Sequence, residues 1–166
     1  LISVYHKEGL EPVIRKLNEL GVALYSTGGT KTYIESCGAK VTSVEDITSY
    51  PSILGGRVKT LHPKVFGAIL RRSEESSDVE DMAAYDIPEI DLVIVDLYPF
   101  KATLAEGAGH EEIIEKIDIG GISLIRAAAK NYKEVLVVSD RSQYPSLLNM
   151  LEDKAGLTEL SERKVF

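Results

Sequence analysis

The apolar run Leu1-Ile2-Ser3-Val4 has strand character. Leu10, Val13, Ile14, Leu17 and Leu20 then recur at three- and four-residue spacing, which predicts a helix with Pro12 in its first turn and Gly21 as its stop. Val22-Ala23-Leu24-Tyr25 predicts a second strand that runs straight into Ser26-Thr27-Gly28-Gly29-Thr30, and a short helix follows, ending near Gly38. A third strand is expected from Val41 to Val44. Asp91 to Leu97 is almost continuously β-rich, as in a strand covered on both faces. A helix begins after Gly121 with Leu124, Ile125 and Ala128 inward; Val135 to Val138 is the last strand, and amphipathic helices close the chain. Alternating strands and helices predict an α/β fold of three layers, a mostly parallel sheet flanked by helices on both faces. Pro51 to Arg72 matches neither period and reads as a long irregular segment, which in a compact domain is more often functional than idle.

Composition narrows the class. The 166 residues show no internal repeat or linker-like tract and predict one domain over 1–166, with 44% hydrophobic and 27% charged residues. No apolar run approaches the roughly 18 to 20 residues of a membrane helix, so no membrane role is expected. A formal charge of −7 argues against nucleic acid as a partner, but not against a phosphorylated small molecule held by a few local cations. Cys37 is the single cysteine, which excludes an internal disulfide and fits a reducing cytosol. His6 and His110 have no metal-ligand spacing to each other or to Cys37, and no Cys/His cluster exists, so no metal site is expected.

Ligands of open parallel sheets bind outside the carboxyl ends of the strands, and four candidate segments fall there. In Ser26-Thr27-Gly28-Gly29-Thr30 the glycines permit close backbone approach and the following helix start offers N–H groups, an anion cradle; an ordinary turn with a Thr N-cap is the alternative. In Gly55-Gly56-Arg57-Val58-Lys59-Thr60-Leu61-His62-Pro63, extended backbone puts Arg57 and Lys59 on one face and Thr60 on the other, two cations that suit an anionic ligand unless the loop is merely solvated. His62 precedes proline and is extended, which fits a structural role better than a general base. Tyr98, at the end of the buried strand, is either a cleft residue or a core aromatic. Asp118-Ile119-Gly120-Gly121 precedes the helix carrying Arg126 and Lys130; Asp118 as an N-cap and Lys130 as an exposed charge are the simple alternatives to chemistry.

Taken in order, Ile2-Ser3-Val4 with Lys7, Ser26 to Thr30, Gly55 to Pro63, Leu97-Tyr98-Pro99-Phe100, Ile117 to Gly121 and Arg126 to Asn131 resemble the IMP cyclohydrolase domain of the bifunctional purine-biosynthesis enzyme, across nearly the whole chain. The resemblance implies a methylglyoxal-synthase-like fold, a homodimer, and closure of a phosphorylated formamido-imidazole carboxamide ribotide to IMP with no cofactor. It assigns Lys59, Tyr98, Asp118 and Lys130 to the chemistry. Ser3, Lys7, Ser26, Thr27, Gly28, Gly29, Thr30, Arg57, Thr60, Ile119, Gly120 and Gly121 are assigned to substrate and phosphate. It implies that a formyltransferase half, the part that uses 10-formyltetrahydrofolate, is absent here. Two stretches depart from the pattern: Tyr5-His6 stands in place of a Ser-Asp pair, and Asp96 in place of Asn. Two other families share the fold. Methylglyoxal synthase needs a Gly-Asp motif missing here, and a nucleotide-binding regulatory domain would need the glycine turn but not the four chemical residues.

Overall fold

The computed structural model describes residues 1–154, 156 and 158–166. Among these residues five strands form one sheet in the order β3-β2-β1-β4-β5, all neighbours parallel: β1 Ile2–Ser3, β2 Tyr25–Ser26, β3 Thr42–Ser43, β4 Leu92–Val95 and β5 Leu136–Val138. Parallel neighbours require crossovers, and helices supply them. They are α1 (Leu10–Glu19), α2 (Gly28–Ser36), α3 (Val44–Thr48), α4 (Pro63–Leu70), α5 (Ser76–Ala84), α6 (Phe100–Ala105), α7 (His110–Glu115), α8 (Gly120–Lys130), α9 (Tyr144–Lys154) and α10 (Leu160–Arg163). The pleat splits the core in two. Ile2, Ile94, Leu136 and Val138 face Leu10, Ile14, Leu17 and Leu147, whereas Val93, Val95 and Val137 face Val65, Ile69, Leu124 and Ala128. The three-layer α/β expectation is therefore met. No helix among the described residues is long and apolar enough to cross a membrane.

Strand order decides where a ligand can sit. The chain runs from β1 outward to β2 and β3, then returns to the other side of β1 for β4 and β5. The connections leaving β1 and β4 diverge, and a crevice opens at their carboxyl ends.

Several elements depart from the sequence expectation. The second strand starts at Tyr25, not Val22: Gly21 takes a left-handed φ of 71° and the Val22 N–H donates to the Leu17 carbonyl, so these residues finish α1 instead of starting a strand. The segment from Pro51 to Arg72 is not wholly irregular. His62 caps α4, its Nδ1 accepting from the Lys64 N–H at 3.2 Å, and Pro63 occupies the first helical position. Gly67 hid this helix from the pattern; a Cβ there would come within 3.2 Å of Ile87, so glycine is what lets that side chain pack against the helix. Helices α5 and α7 bury no residue at all and so leave no apolar stripe to read.

Candidate functional site

The crevice at β1 and β4 is a cleft of about 720 Å³. Its walls come from Ser3 to Lys7 after β1, the turn before α2, the loop from Gly55 to Thr60, Asp96 and Tyr98 after β4, and the stretch from Ile114 to Gly121. Segments far apart in sequence meet here because each follows a strand end or faces one.

Helix α2 starts at the cleft with Thr27 in extended conformation and without a side-chain cap on its first turn. Gly28 has φ 54°, a value glycine adopts without strain. Uncapped N–H groups at a helix start carry partial positive charge and suit an anion. The Thr27 hydroxyl donates instead to Glu45 at 3.2 Å. The Thr30 hydroxyl is likewise engaged, donating to the Val4 carbonyl at 2.9 Å and accepting from the Val4 N–H at 3.2 Å. It ties α2 to the end of β1 and so fixes where those backbone donors point. Ser26 is fully buried, its hydroxyl donating to the Ile2 carbonyl at 2.7 Å between β1 and β2. Its side chain is not among those lining the cleft, unlike the expectation that it faces the phosphate: the last residue of β2 turns into the sheet.

The loop from Gly55 to Thr60 folds back through a bridge between Ile53 and Val58. That turn overrides the extended-strand expectation, and Arg57, Lys59 and Thr60 all face the cleft. Lys59 reaches the glycine turn: its Nζ lies 3.5 Å from where a Cβ on Gly28 would stand and 3.7 Å from one on Gly56. A larger residue at either position would crowd the ammonium. Arg57 pairs with Glu115 across the mouth, both exposed. Thr60 is buried against the start of α8, its Oγ1 3.2 Å from a Cβ placed on Gly120.

Asp118 combines the two sequence readings. Its Oδ1 accepts from the Gly121 N–H at 2.6 Å, a cap on α8, and the residue still lines the cleft. A Cβ on Gly121 would stand 2.6 Å from Asp118 Oδ2, so glycine is required for the carboxylate to hold this position. Ile119, Gly120 and Gly121 complete the wall. Tyr98 also lines the cleft and is partly exposed there, not a core aromatic.

Lys130 is not brought to the cleft of its own chain. It is exposed at the far end of α8. Ten residues separate it from Gly120, about 15 Å along the axis at the usual rise. Asp96 and Tyr5 stand out in the sequence only as departures from a pattern, and Glu115 carries no sequence signal. Asp96 is buried at the cleft wall and accepts from the Tyr5 N–H, from the His6 N–H at 3.0 Å and from His6 Nδ1 at 2.6 Å. Lys7 lines the same wall and donates to the Val4 carbonyl and, at 3.1 Å, to the Tyr5 carbonyl. Partial burial holds its pKa below the usual lysine value, with the Asp96 charge opposing that shift.

Known proteins resemble this chain closely. It is 61% identical over 164 residues to the bifunctional purine biosynthesis protein PurH of Bacteroides thetaiotaomicron, covering 99% of this chain and 32% of that protein. The PurH proteins of Listeria monocytogenes and Myxococcus xanthus are 50% and 47% identical over 95% and 99% of this chain. The chain thus spans about a third of the length of the curated relatives it matches. The crystal structure of ForH superimposes with a TM-score of 0.82 at 36% identity, covering 99% of this chain and 86% of that one. The model of the MGS-like domain matches residues 9–123, from the start of α1 to the start of α8, which includes the glycine turn, the Lys59 loop and Asp118. On that match, the chain belongs to the MGS-like domain family.

Proposed function

We propose that this chain is an IMP cyclohydrolase, closing 5-formamido-1-(5-phosphoribosyl)imidazole-4-carboxamide to IMP and water. The observation that carries this reading is the convergence of Lys59, the uncapped start of α2 and the backbone around Asp118 to Gly121 on one cleft. Its volume of about 720 Å³ lies within the range of small-molecule sites. The PurH names of close relatives point to the same pathway.

The phosphate sits on the N–H groups at the start of α2, with Arg57 and Lys7 adding charge, and the imidazole lies against Asp118 to Gly121. Anchored at both ends, the substrate keeps its carboxamide nitrogen beside the formyl carbon, and such positioning is worth several kcal/mol. The nitrogen attacks, a C–N bond forms, and the formyl oxygen becomes an oxyanion that Lys59 stabilises. Asp118 retains Oδ2 to take the proton from nitrogen. That proton passes to the oxyanion to give a hydroxyl; the formamido nitrogen then gives up its hydrogen as the C–O bond breaks, the hydroxyl takes it and leaves as water, and a C=N bond completes the pyrimidine ring. Because the substrate carries both reacting groups, neither metal nor organic cofactor enters the scheme.

Lys130 joins this chemistry through a second copy of the chain. Leu97, Phe100, Leu104, Ile114, Ile117 and Ile122 are exposed, and Ile114 and Ile117 line the cleft, apolar side chains that a second copy would cover. Ile122, Arg126, Ala129 and Lys130 form one exposed stripe along α8. A two-fold axis that pairs α8 with its copy, antiparallel, brings Lys130 of one chain to the Gly120 end of the other. Tyr98 orients the groups, and the homodimer works in the cytosol.

The test incubates the purified chain with the formamido ribotide and follows IMP absorbance. Conversion without added metal or folate is expected. IMP binding with no turnover would make the chain a regulatory nucleotide module, and methylglyoxal formation from dihydroxyacetone phosphate would make it a lyase; either result replaces this reading.

A further inference from the structure

Positions 5 and 6 lie 91 and 90 residues from position 96 in sequence, and in the fold the three form one contact. Asp96 sits at the carboxyl end of β4 with only 8% of its surface exposed. One oxygen takes the Tyr5 N–H; the other takes the His6 N–H at 3.0 Å and His6 Nδ1 at 2.6 Å. Both oxygens are thereby occupied by the chain itself. Asp96 lines the cleft, yet three of the hydrogen bonds its carboxylate can accept come from the chain itself, so its contacts go chiefly to holding that chain.

What it holds is the turn after β1, and that turn carries two cleft residues. Lys7 spends two of its three N–H groups on the carbonyls of Val4 and Tyr5, inside the clamped segment. The third remains for a ligand. The Tyr5 ring meets the Tyr98 ring edge to face, centroids 5.4 Å apart and planes at 69°, and the Lys116 ammonium lies 5.3 Å above the Tyr5 ring. Movement of the turn would shift the Lys7 ammonium and the Tyr98 ring together.

We propose that Asp96 is a positioning residue, which clamps the Tyr5–His6 turn so that Lys7 is aimed at the anionic end of the ligand and thereby sets ligand affinity. The inference deepens the IMP cyclohydrolase reading and rests on it for the choice of ligand. An amide at position 96 keeps one acceptor for the Tyr5 N–H but turns an N–H group toward the His6 N–H. An aspartate at position 6 opposite the native Asp96 sets two carboxylates face to face. Making both changes places a carboxylate opposite an amide and restores an attractive pair.

Calorimetric titration with IMP, thermal melting, and KM and kcat for ring closure are measured for the unaltered chain and for Asp96→Asn, His6→Asp and both together. Lys7→Met and Lys7→Met with Asp96→Asn complete a second cycle. Each single change at 6 or 96 is expected to weaken IMP binding about tenfold and to raise KM in step, with kcat changed less than about threefold. The 6/96 pair is expected to recover to within about threefold of the unaltered chain. Asp96→Asn is expected to add nothing to Lys7→Met, because it acts through that ammonium. Additive losses in the Lys7 cycle, or binding losses that follow the fall in Tm, overturn the proposal. Failure of the unaltered chain to close the ring, with IMP binding intact, defeats the cyclohydrolase reading but leaves the binding cycles to decide the role of Asp96. Absence of IMP binding to the unaltered chain overturns both.

Discussion

Gly121→Ala separates catalysis from stability at a single atom. The added Cβ would stand 2.6 Å from Asp118 Oδ2, 2.9 Å from its Cγ and 3.0 Å from Oδ1, closer than real Cβ contacts come, so the carboxylate must leave. The backbone needs no other adjustment, because Gly121 is not among the glycines at positive φ. Losing the 2.6 Å cap on the Gly121 N–H costs about 1 kcal/mol, and replacing a helical glycine by alanine returns about as much. The net stability change is about 1 kcal/mol or less, roughly 2–4 °C in Tm for a chain of this size. Turnover should nevertheless fall about 10²–10⁴-fold, the usual worth of a positioned acid or base. Circular dichroism melting and the IMP absorbance assay on the same preparation read both quantities. Turnover within threefold of the unaltered chain would remove Asp118 from the chemistry. Loss of turnover together with a drop in Tm of tens of degrees would show a folding defect and refute the reasoning.

Lys59→Met should cost about 10²–10³ in kcat with Tm unchanged or raised, checked by single-turnover ring closure and melting. Lys130→Gln should lower kcat strongly with little change in IMP affinity. Mixing Lys130→Gln with Lys59→Met chains, unfolded and refolded together, should recover about a quarter of normal turnover, since half the dimers then hold one intact site; no recovery would remove Lys130 from the partner's cleft. The Tyr144 hydroxyl is buried with no hydrogen-bond partner among the described residues, so Tyr144→Phe should be stabilising by roughly 1 kcal/mol, read by urea denaturation. Burial, with the charges of Asp96 and Asp140 adding, pushes the Tyr144 pKa up from 10.0 to about 12. A raised folded pKa means its contribution is complete below pH 10 and is lost as pH rises through the interval to about 12. The advantage of Tyr144→Phe should therefore grow between pH 10 and 12 in paired denaturation series.

Long periodic segments were legible in the sequence because their burial is one-sided or complete. The stripe of Leu10, Val13, Ile14 and Leu17 and the run through Val93, Ile94 and Val95 are nearly all fully buried, and each shows in the sequence as an unbroken pattern. Helix α4 was missed because its apolar stripe is interrupted by a glycine that exists for close packing, and α5 and α7 because nothing in them is buried. Gly29, Gly120 and Gly121 line the cleft, where turn chemistry in the sequence places them. Ser26 could not, because whether the last residue of a strand faces a loop or a neighbouring strand depends on register. Nor could the partnership of His6 with Asp96: each alone was an oddity, and only the pairing of β1 with β4 sets them against each other.

The account depends most on one ribotide bridging the start of α2 and the start of α8, and crystals of the chain with IMP test that directly. The expected result places the phosphate on the N–H groups of Gly28 to Thr30, the Lys59 ammonium beside the pyrimidine ring, and the base against Asp118 to Gly121. IMP bound outside the crevice between β1 and β4, or bound there with its phosphate turned away from α2, would contradict it.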